Sequence, residues 1–379
     1  MIMEWLLNIV YYVVPFLVLL GVLVFVHEFG HFIVAKKLGV SVSAFSIGFG
    51  KELWSKTDKQ GTVWKLSLIP LGGYCQFLGD ADESSTTEVD LSKYTEEEQK
   101  HLFATQKPIK KLAIAIAGPL FNYLFAFVVF FGLFFFFGSY DIPPVVSEVI
   151  ENSPAQHAGI QENDRILEVN GAVITEWGDI SREVSLATEN VDLLIERNGE
   201  KIKLTLPLAE MDYAFDETEK PIKRRMIGIK AEAKRFNISK DTFDFTTAVK
   251  KSYFEVYNVS VMTLRGVGQI ISGERSGDDV GGIIRIAEMS GDISKSRGFL
   301  DFLSFMALLS INLGLINLFP IPLLDGGHVI IYLLEIVSRR ELNAKIKEYL
   351  FKLGLGFVLC LMVFATWNDI KHLITRWFE

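Results

Sequence analysis

Five residues, His27-Glu28-Phe29-Gly30-His31, follow directly on a run from Leu6 to Val26 that holds no charged side chain and one proline, Pro15. The run is long enough to cross the hydrocarbon of a bilayer, which takes about 20 apolar residues. Ionisable groups at that depth are expensive and need partners. On a helix continuing from the run, His27 and His31 stand at i and i+4, so both imidazoles project from one face. A helix offers two nitrogens to a zinc ion in this way, with the intervening glutamate placed to handle protons. The bland alternative is a structural polar patch, which an apolar span makes costly.

Composition carries the membrane reading beyond this one segment. Of 379 residues, 50% are hydrophobic and 30 are phenylalanine, and the mean hydropathy is +0.29. This fits a multi-pass membrane protein with a soluble insert. A formal net charge of -8 argues against nucleic acid, which needs a basic face. Cys75 and Cys360 have no metal-ligand spacing around them, so neither a disulfide framework nor a cysteine zinc site is expected. The apolar N-terminus lacks a basic n-region and a small-residue cleavage site, and reads as a retained first span.

Three further spans are expected: Leu112 to Phe137, Phe302 to Ile336, and Leu350 to Trp367. The third is interrupted by Asn312, Asn317, Pro320, Pro322, Asp325 and His328. Basic residues flank the spans on one side (Lys36, Lys37, Lys51; Lys107, Lys110, Lys111; Arg339, Arg340, Lys345, Lys347), although Lys371 and Arg376 weaken the contrast. By positive-inside logic these loops face the cytoplasm. Both termini and the insert, Ser139 to Asp301, then lie outside it.

Between the first two spans, Val40 to Phe49 and Thr62 to Ile69 read as strands joined by an Asp58-Lys59-Gln60-Gly61 turn. This hairpin could merely connect two helices. It could also fold back toward the metal, with Gly48 and Gly50 near an extended peptide held at a strand edge. Asp80 to Lys100 is acidic and Ser/Thr-rich and reads as a mobile surface loop. In the insert, a strand at Val145 to Ile150 precedes Ser153-Pro154-Ala155, Ala158-Gly159-Ile160 and Asp164-Arg165-Ile166, then an Asn170-Gly171 turn. Val191 to Glu196 and Lys201 to Leu206 then pair. The series resembles a PDZ domain of the bacterial protease type, a module that binds peptides by strand addition. Phe243 to Ile271 has apolar residues at helical spacing and reads as an amphipathic helix. Asp278 to Arg297 is Gly/Ser-rich and reads as a flexible link.

Two histidines do not complete a catalytic zinc site, which takes three protein ligands and an open position. Few other charges sit at membrane depth. Asp325 lies in Asn317-Leu318-Phe319-Pro320-Ile321-Pro322-Leu323-Leu324-Asp325-Gly326-Gly327, where prolines break the helix and glycines permit close backbone approach. A buried carboxylate there wants a cation. His328 could be a ligand instead, but at i+3 on a distorted helix it reads better as a supporting group. His101, His157 and His372 have polar surroundings and read as surface residues.

With both motifs in view, the chain resembles the site-2 protease family of intramembrane zinc metalloproteases. The resemblance rests on HEFGH, NLFPIPLLDGG and Ala117-Gly118-Pro119-Leu120-Phe121-Asn122. Phe45 to Gly50 and Ile69 to Tyr74 are similar to the re-entrant hairpin of the RseP-like branch, although members of that branch carry two tandem PDZ domains and one is found here. The resemblance implies Zn2+ held by His27, His31 and Asp325, Glu28 as the catalytic carboxylate, and Asn317 beside the substrate backbone. It implies regulated intramembrane proteolysis of single-pass membrane proteins (anti-sigma factor type, remnant signal peptides) in a bacterial inner membrane, with the PDZ domain gating access and both termini periplasmic. The expected fold is a multi-pass α-helical membrane protein: four transmembrane helices, a re-entrant β-hairpin and an inserted PDZ-like α/β domain outside the cytoplasm. The boundaries are 1–39 for the first helix, 40–79 for the hairpin, 80–111 for a cytoplasmic loop and 112–138 for the second helix. The PDZ domain takes 139–212, an amphipathic linker 213–300, the third segment 301–338, a loop 339–348, the fourth helix 349–368 and a tail 369–379. A metal transporter or sensor would also place His and Asp in the membrane, but gives no use for Glu28. A non-catalytic peptide adaptor has no use for the ligands.

Overall fold

The computed structural model describes residues 2–79, 90–138, 143–213, 222–231, 244–274, 276–277 and 280–378. Outside these lie the acidic stretch 80–89, the start of the expected PDZ region at 139–142, and parts of the linker at 214–221 and 232–243. Helix α1 (Ile2–Lys37) leads into two long strands, β1 (Val42–Thr57) and β2 (Val63–Phe77). Helix α2 (Pro108–Phe137) follows, then β3 (Arg165–Val169), β4 (Ala172–Val173), α3 (Trp177–Leu186), β5 (Asn190–Arg197) and β6 (Glu200–Pro207). Then come α4 (Phe245–Ser272), α5 (Ile283–Ser296), α6 (Phe299–Asn317), α7 (Asp325–Ser338) and α8 (Ala344–Phe378).

Four helices among the described residues are long and apolar enough to cross a membrane: Val10–Lys37, Pro108–Phe137, Phe299–Asn317 and Lys345–Thr375. Their exposed faces are apolar at helical spacing. Val10, Val14 and Val18 line one face of α1, and Leu120, Leu124 and Val128 one face of α2. Water would make such stripes costly, whereas lipid makes them neutral.

The described chain forms two compact units. In the first (Met1–Leu133, Lys251–Ser260, Asp278–Glu379), small residues let α1, α2 and α6 touch. A Cβ on Gly30 would lie 2.5 Å from the Ala117 carbonyl oxygen, and one on Gly314 2.9 Å from that of Pro119. The third apolar segment is two helices, α6 and α7, because Pro320 and Pro322 deny backbone donors to the stretch between them.

The expected hairpin is more folded than two strands joined by a turn. Residues 44–47 of β1 lie between two segments of β2, with Phe45 opposite both Cys75 and Trp64. Residues 52–57 pair with 63–67 on the far side. Each long strand therefore doubles back on itself. The bend in β1 passes through Gly48 at φ +90°, a conformation that costs other residues a Cβ clash. The Asp58 turn is as expected. Burial works against its charge, but the Trp64 indole and the Thr62 and Gln60 amides donate to the carboxylate and hold it below the usual range. Phe45 packs on Trp64 (4.6 Å between centroids) and both reach Phe32 of α1, at 5.6 and 5.1 Å. This aromatic cluster fixes the sheet to α1.

One expected loop is corrected, and the described part of another holds a short helical turn. Asp278 to Arg297 contains helix α5, not a flexible link. Its apolar residues Ile286 and Ile293 pack with Leu19 and Leu23 of α1, and Tyr12 donates to Asp292 at 2.8 Å. Asp369 of α8 caps it, accepting from the amides of Gly282, Ile284 and Arg285. In the stretch read as mobile, Glu96–Gln99 is a helical turn closed by a Thr95–Glu98 capping box.

The second unit (Phe134–Lys250, Val261–Gly277) holds a four-stranded sheet in the order β4-β3-β5-β6. Asn170 and Gly171 join β3 to β4, and Asn198 and Gly199 join β5 to β6, all four at positive φ, as two-residue hairpin turns require. Ile166, Val169, Val191, Leu193 and Ile195 form the core, with Ile180 and Val184 of α3 laid across it. Helix α4 forms as its periodicity predicts, and at its C-terminal end Arg265 pairs with Glu183 of α3 at 3.2 Å.

Asp164, fully buried, is gripped by the Arg197 fork through two bonds of 2.7 Å. Removing one member of such a pair leaves a buried charge without compensation. Arg197→Met is expected to destabilise this unit by about 3 kcal/mol, measured by denaturant-dependent proteolysis of the full chain within 134–250. Unchanged resistance would show that the Gln161 amide alone satisfies Asp164.

Candidate metal centre

His27 and His31 are one helical turn apart on α1, both about 8% exposed. Their Nε2 atoms face each other at 3.3 Å. Two neutral imidazole nitrogens so placed repel unless a proton or a cation lies between them. Asp325, the first residue of α7, supplies the third group: its Oδ2 is 3.0 Å from His27 Nε2 and its Oδ1 3.4 Å from His31 Nε2. Tetrahedral zinc with bonds near 2.05 Å separates its ligands by about 3.3–3.4 Å, so these spacings fit the edges of such a site. Asp325 Oδ2 is buried without a hydrogen-bond partner, which a cation would satisfy. The donor set, two imidazoles and a carboxylate, is one that leaves a zinc position open.

The sequence brings Asp325 here through a tight loop. A Cβ on Gly327 would lie 2.5 Å from the Ile321 carbonyl oxygen, and Gly326 presses equally on Leu318 and Phe319. Leu323, two residues before the aspartate, holds φ at +130°. Such a conformation costs a residue with a side chain about 1–3 kcal/mol and persists only where the surroundings enforce it.

Helix α2 runs behind the imidazoles. Ile114, Gly118 and Asn122 are spaced by four and so share one face. The Ile114 carbonyl lies 2.8 Å from His31 Nδ1, and Asn122 Nδ2 lies 3.0 Å from His27 Nδ1. Between them, a Cβ on Gly118 would run into the His31 ring and lie 2.9 Å from His27 Cε1.

The cluster opens into a cavity of about 380 Å³ lined by Glu28, Gly73, Tyr74, Cys75, Asn317 and His328, among others. Glu28 is half-buried, and the Cys75 backbone amide donates to it. The structure thus gathers His27, Glu28, His31, Asn317 and Asp325. Gly48 and Gly50 do not line the cavity. They sit at the β1 bend against β2, where a Cβ on Gly48 would be 2.9 Å from both the Ser67 and Ile69 carbonyl oxygens. His328 stays outside the three-residue cluster and stacks on Tyr332 with centroids 6.0 Å apart. His101, His157 and His372 are exposed.

The expected hairpin included Gly73 and Tyr74, but the strand read from the residues ended at Ile69, and none of residues 73–75 was given a place at the site. It noted the stretch from Ala117 to Asn122 but gave it no role.

Gly118→Ala is expected to displace the imidazoles and weaken zinc binding on the order of 10–100-fold. Competition with a chelator on purified protein measures this. Wild-type affinity would mean that α2 can retreat.

A family model described as peptidase family M50 matches residues 15–361. Three relatives named as candidate zinc metalloproteases align over nearly their whole length. One from Agrobacterium fabrum is 38% identical, covering 96% of each chain. One from Mesorhizobium japonicum is 40% identical over 94% of this chain and 98% of its own. One from Rickettsia conorii is 36% identical over 96% and 99%.

Proposed function

The chain belongs to peptidase family M50, the site-2 proteases, and is a membrane zinc metallopeptidase; from that premise we propose that His27, His31 and Asp325 hold the zinc, that Glu28 is the catalytic carboxylate, and that the substrate is the membrane-spanning helix of a single-pass protein. The observation that carries this reading is the spacing of the three donor groups with Glu28 opening onto the same cavity. Zinc, when bound, supplies a Lewis acid that activates water and polarises a peptide carbonyl. Glu28 accepts the proton that water gives up and delivers it to the leaving amine, so one carboxylate serves both steps. The Cys75 amide orients it by donating to it.

A helical substrate hides its carbonyls in hydrogen bonds and must unwind before attack. Residues 73–77 of β2 are extended, and several line the cavity. An unwound segment laid beside them is held straight, as in strand addition. Asn317 at the end of α6 lines the same cavity and serves as a donor to the substrate backbone. Gly48 and Gly50 contribute through the bend that gives the sheet its shape, and the sheet is the re-entrant element of the fold.

The four-stranded second unit acts as a PDZ module that admits substrates already trimmed of bulky outer domains, anti-sigma factors and remnant signal peptides being the type. The basic loops support the reading that both termini and this module face the periplasmic side of a bacterial inner membrane.

Glu28→Gln is expected to keep one zinc per chain and to lose cleavage of a model transmembrane peptide by at least about 100-fold. Zinc analysis and gel-based cleavage on the same purified sample measure both. Undiminished cleavage removes Glu28 from the chemistry. Loss of zinc as well makes it a ligand.

A further inference from the structure

The stretch Ala117 to Asn122 has no role in the proposed hydrolysis, yet its last residue is fully buried against a histidine 95 positions away. We propose that Asn122 is the positioning residue for His27: its Oδ1 accepts the Nδ1 proton and thereby leaves the Nε2 lone pair for the metal. This rests on the reading of His27 as a ligand.

An imidazole that binds metal through Nε2 carries its one proton on Nδ1, and that proton needs an acceptor when buried. His31 has one, the Ile114 carbonyl at 2.8 Å. At His27 Nδ1 the group within reach is the Asn122 side-chain amide, with its Nδ2 at 3.0 Å. Its two ends exchange by a half-turn about the Cβ–Cγ bond, and only the oxygen can accept. In the structure the nitrogen faces the ring; donating to Nδ1 it would force the proton onto Nε2 and abolish the ligand, so the proposed role turns the amide by that half-turn. Oδ1 has no hydrogen-bond partner when it points away from the ring, so turning it toward His27 forfeits no bond.

The geometry around the amide supports a built function. Ser310 Oγ donates to the Asn122 backbone carbonyl at 2.9 Å, which ties this turn of α2 to α6. His31 and His27, four residues apart on α1, meet positions 114 and 122, two turns apart on α2, with bare Gly118 between them. One helix face thus sets both tautomers, one through a backbone oxygen and one through a side chain. A backbone acceptor survives substitution, whereas Asn122 can be changed.

The test is zinc affinity by chelator competition on the purified full chain, comparing wild type with His27→Ala, Asn122→Leu and Asn122→Asp. Asn122→Leu keeps the bulk without an acceptor and is expected to weaken binding on the order of 10–100-fold. Asn122→Asp removes the amide donor, keeps the acceptor, and is expected to bind zinc as tightly as wild type or more tightly. Loss in both variants overturns the proposal, since it marks the nitrogen or the packing as the essential part. Wild-type affinity in Asn122→Leu overturns it too. Should Asn122→Leu fail to fold, Asn122→Asp decides alone, because a donor role predicts loss where an acceptor role predicts retention. If His27→Ala itself leaves affinity unchanged, the ligand reading falls. If His27→Ala weakens zinc but the Asn122 variants do not behave as stated, only the positioning role falls.

Discussion

Two imidazoles and a carboxylate converge within 3.0–3.4 Å of one another at the meeting point of three apolar helical segments, and the surrounding structure depends on that convergence. With neither a proton nor a cation between them the nitrogens repel, and a buried carboxylate oxygen makes no hydrogen bond. Close-packed small residues hold the helices together regardless. Gly30 meets α2, Gly118 lies under the rings, and Gly326 and Gly327 press on the loop before Asp325. The strained backbone at Leu323 belongs to the same arrangement. Strain of that kind persists when many contacts enforce it, and functional sites are where it collects.

The sheet beside α1 answers a different requirement. Hydrolysis within a membrane needs an extended substrate, but lipid favours helices because they satisfy their own backbone. In the proposed function, the strand lining the cavity offers backbone groups in place of the ones that unwinding exposes. The Phe32–Phe45–Trp64 cluster sets where that sheet lies on α1, and the Cys75 amide links it to Glu28.

Much of this was legible in the chain. The four apolar runs became helices, because length and composition leave a segment in lipid no other option. The i, i+4 histidines needed only helical geometry. Pro320 and Pro322 announced the break before Asp325. Helix α5 was not legible, since Gly281, Gly282, Ser290 and Gly291 mask the apolar positions that pack on α1; those small residues permit close contact, as Gly291 does beneath Tyr12. The doubling of β1 and β2 was hidden for a related reason. The expected strands stopped at Phe49 and Ile69, whereas the fold runs both further, bending at Gly48 and Gly72. Asn122 illustrates a limit of another kind. Its partner is 95 residues away, and no local pattern relates an asparagine on one helix to a histidine tautomer on another.

X-ray absorption at the zinc edge of the purified full chain tests the central claim most directly. A site built by His27, His31 and Asp325 predicts four nitrogen or oxygen neighbours at about 2.0–2.1 Å, a multiple-scattering pattern of two imidazoles, no sulfur, and loss of the signal in Asp325→Ala. A sulfur shell, a third imidazole, or a spectrum unchanged in Asp325→Ala would contradict it.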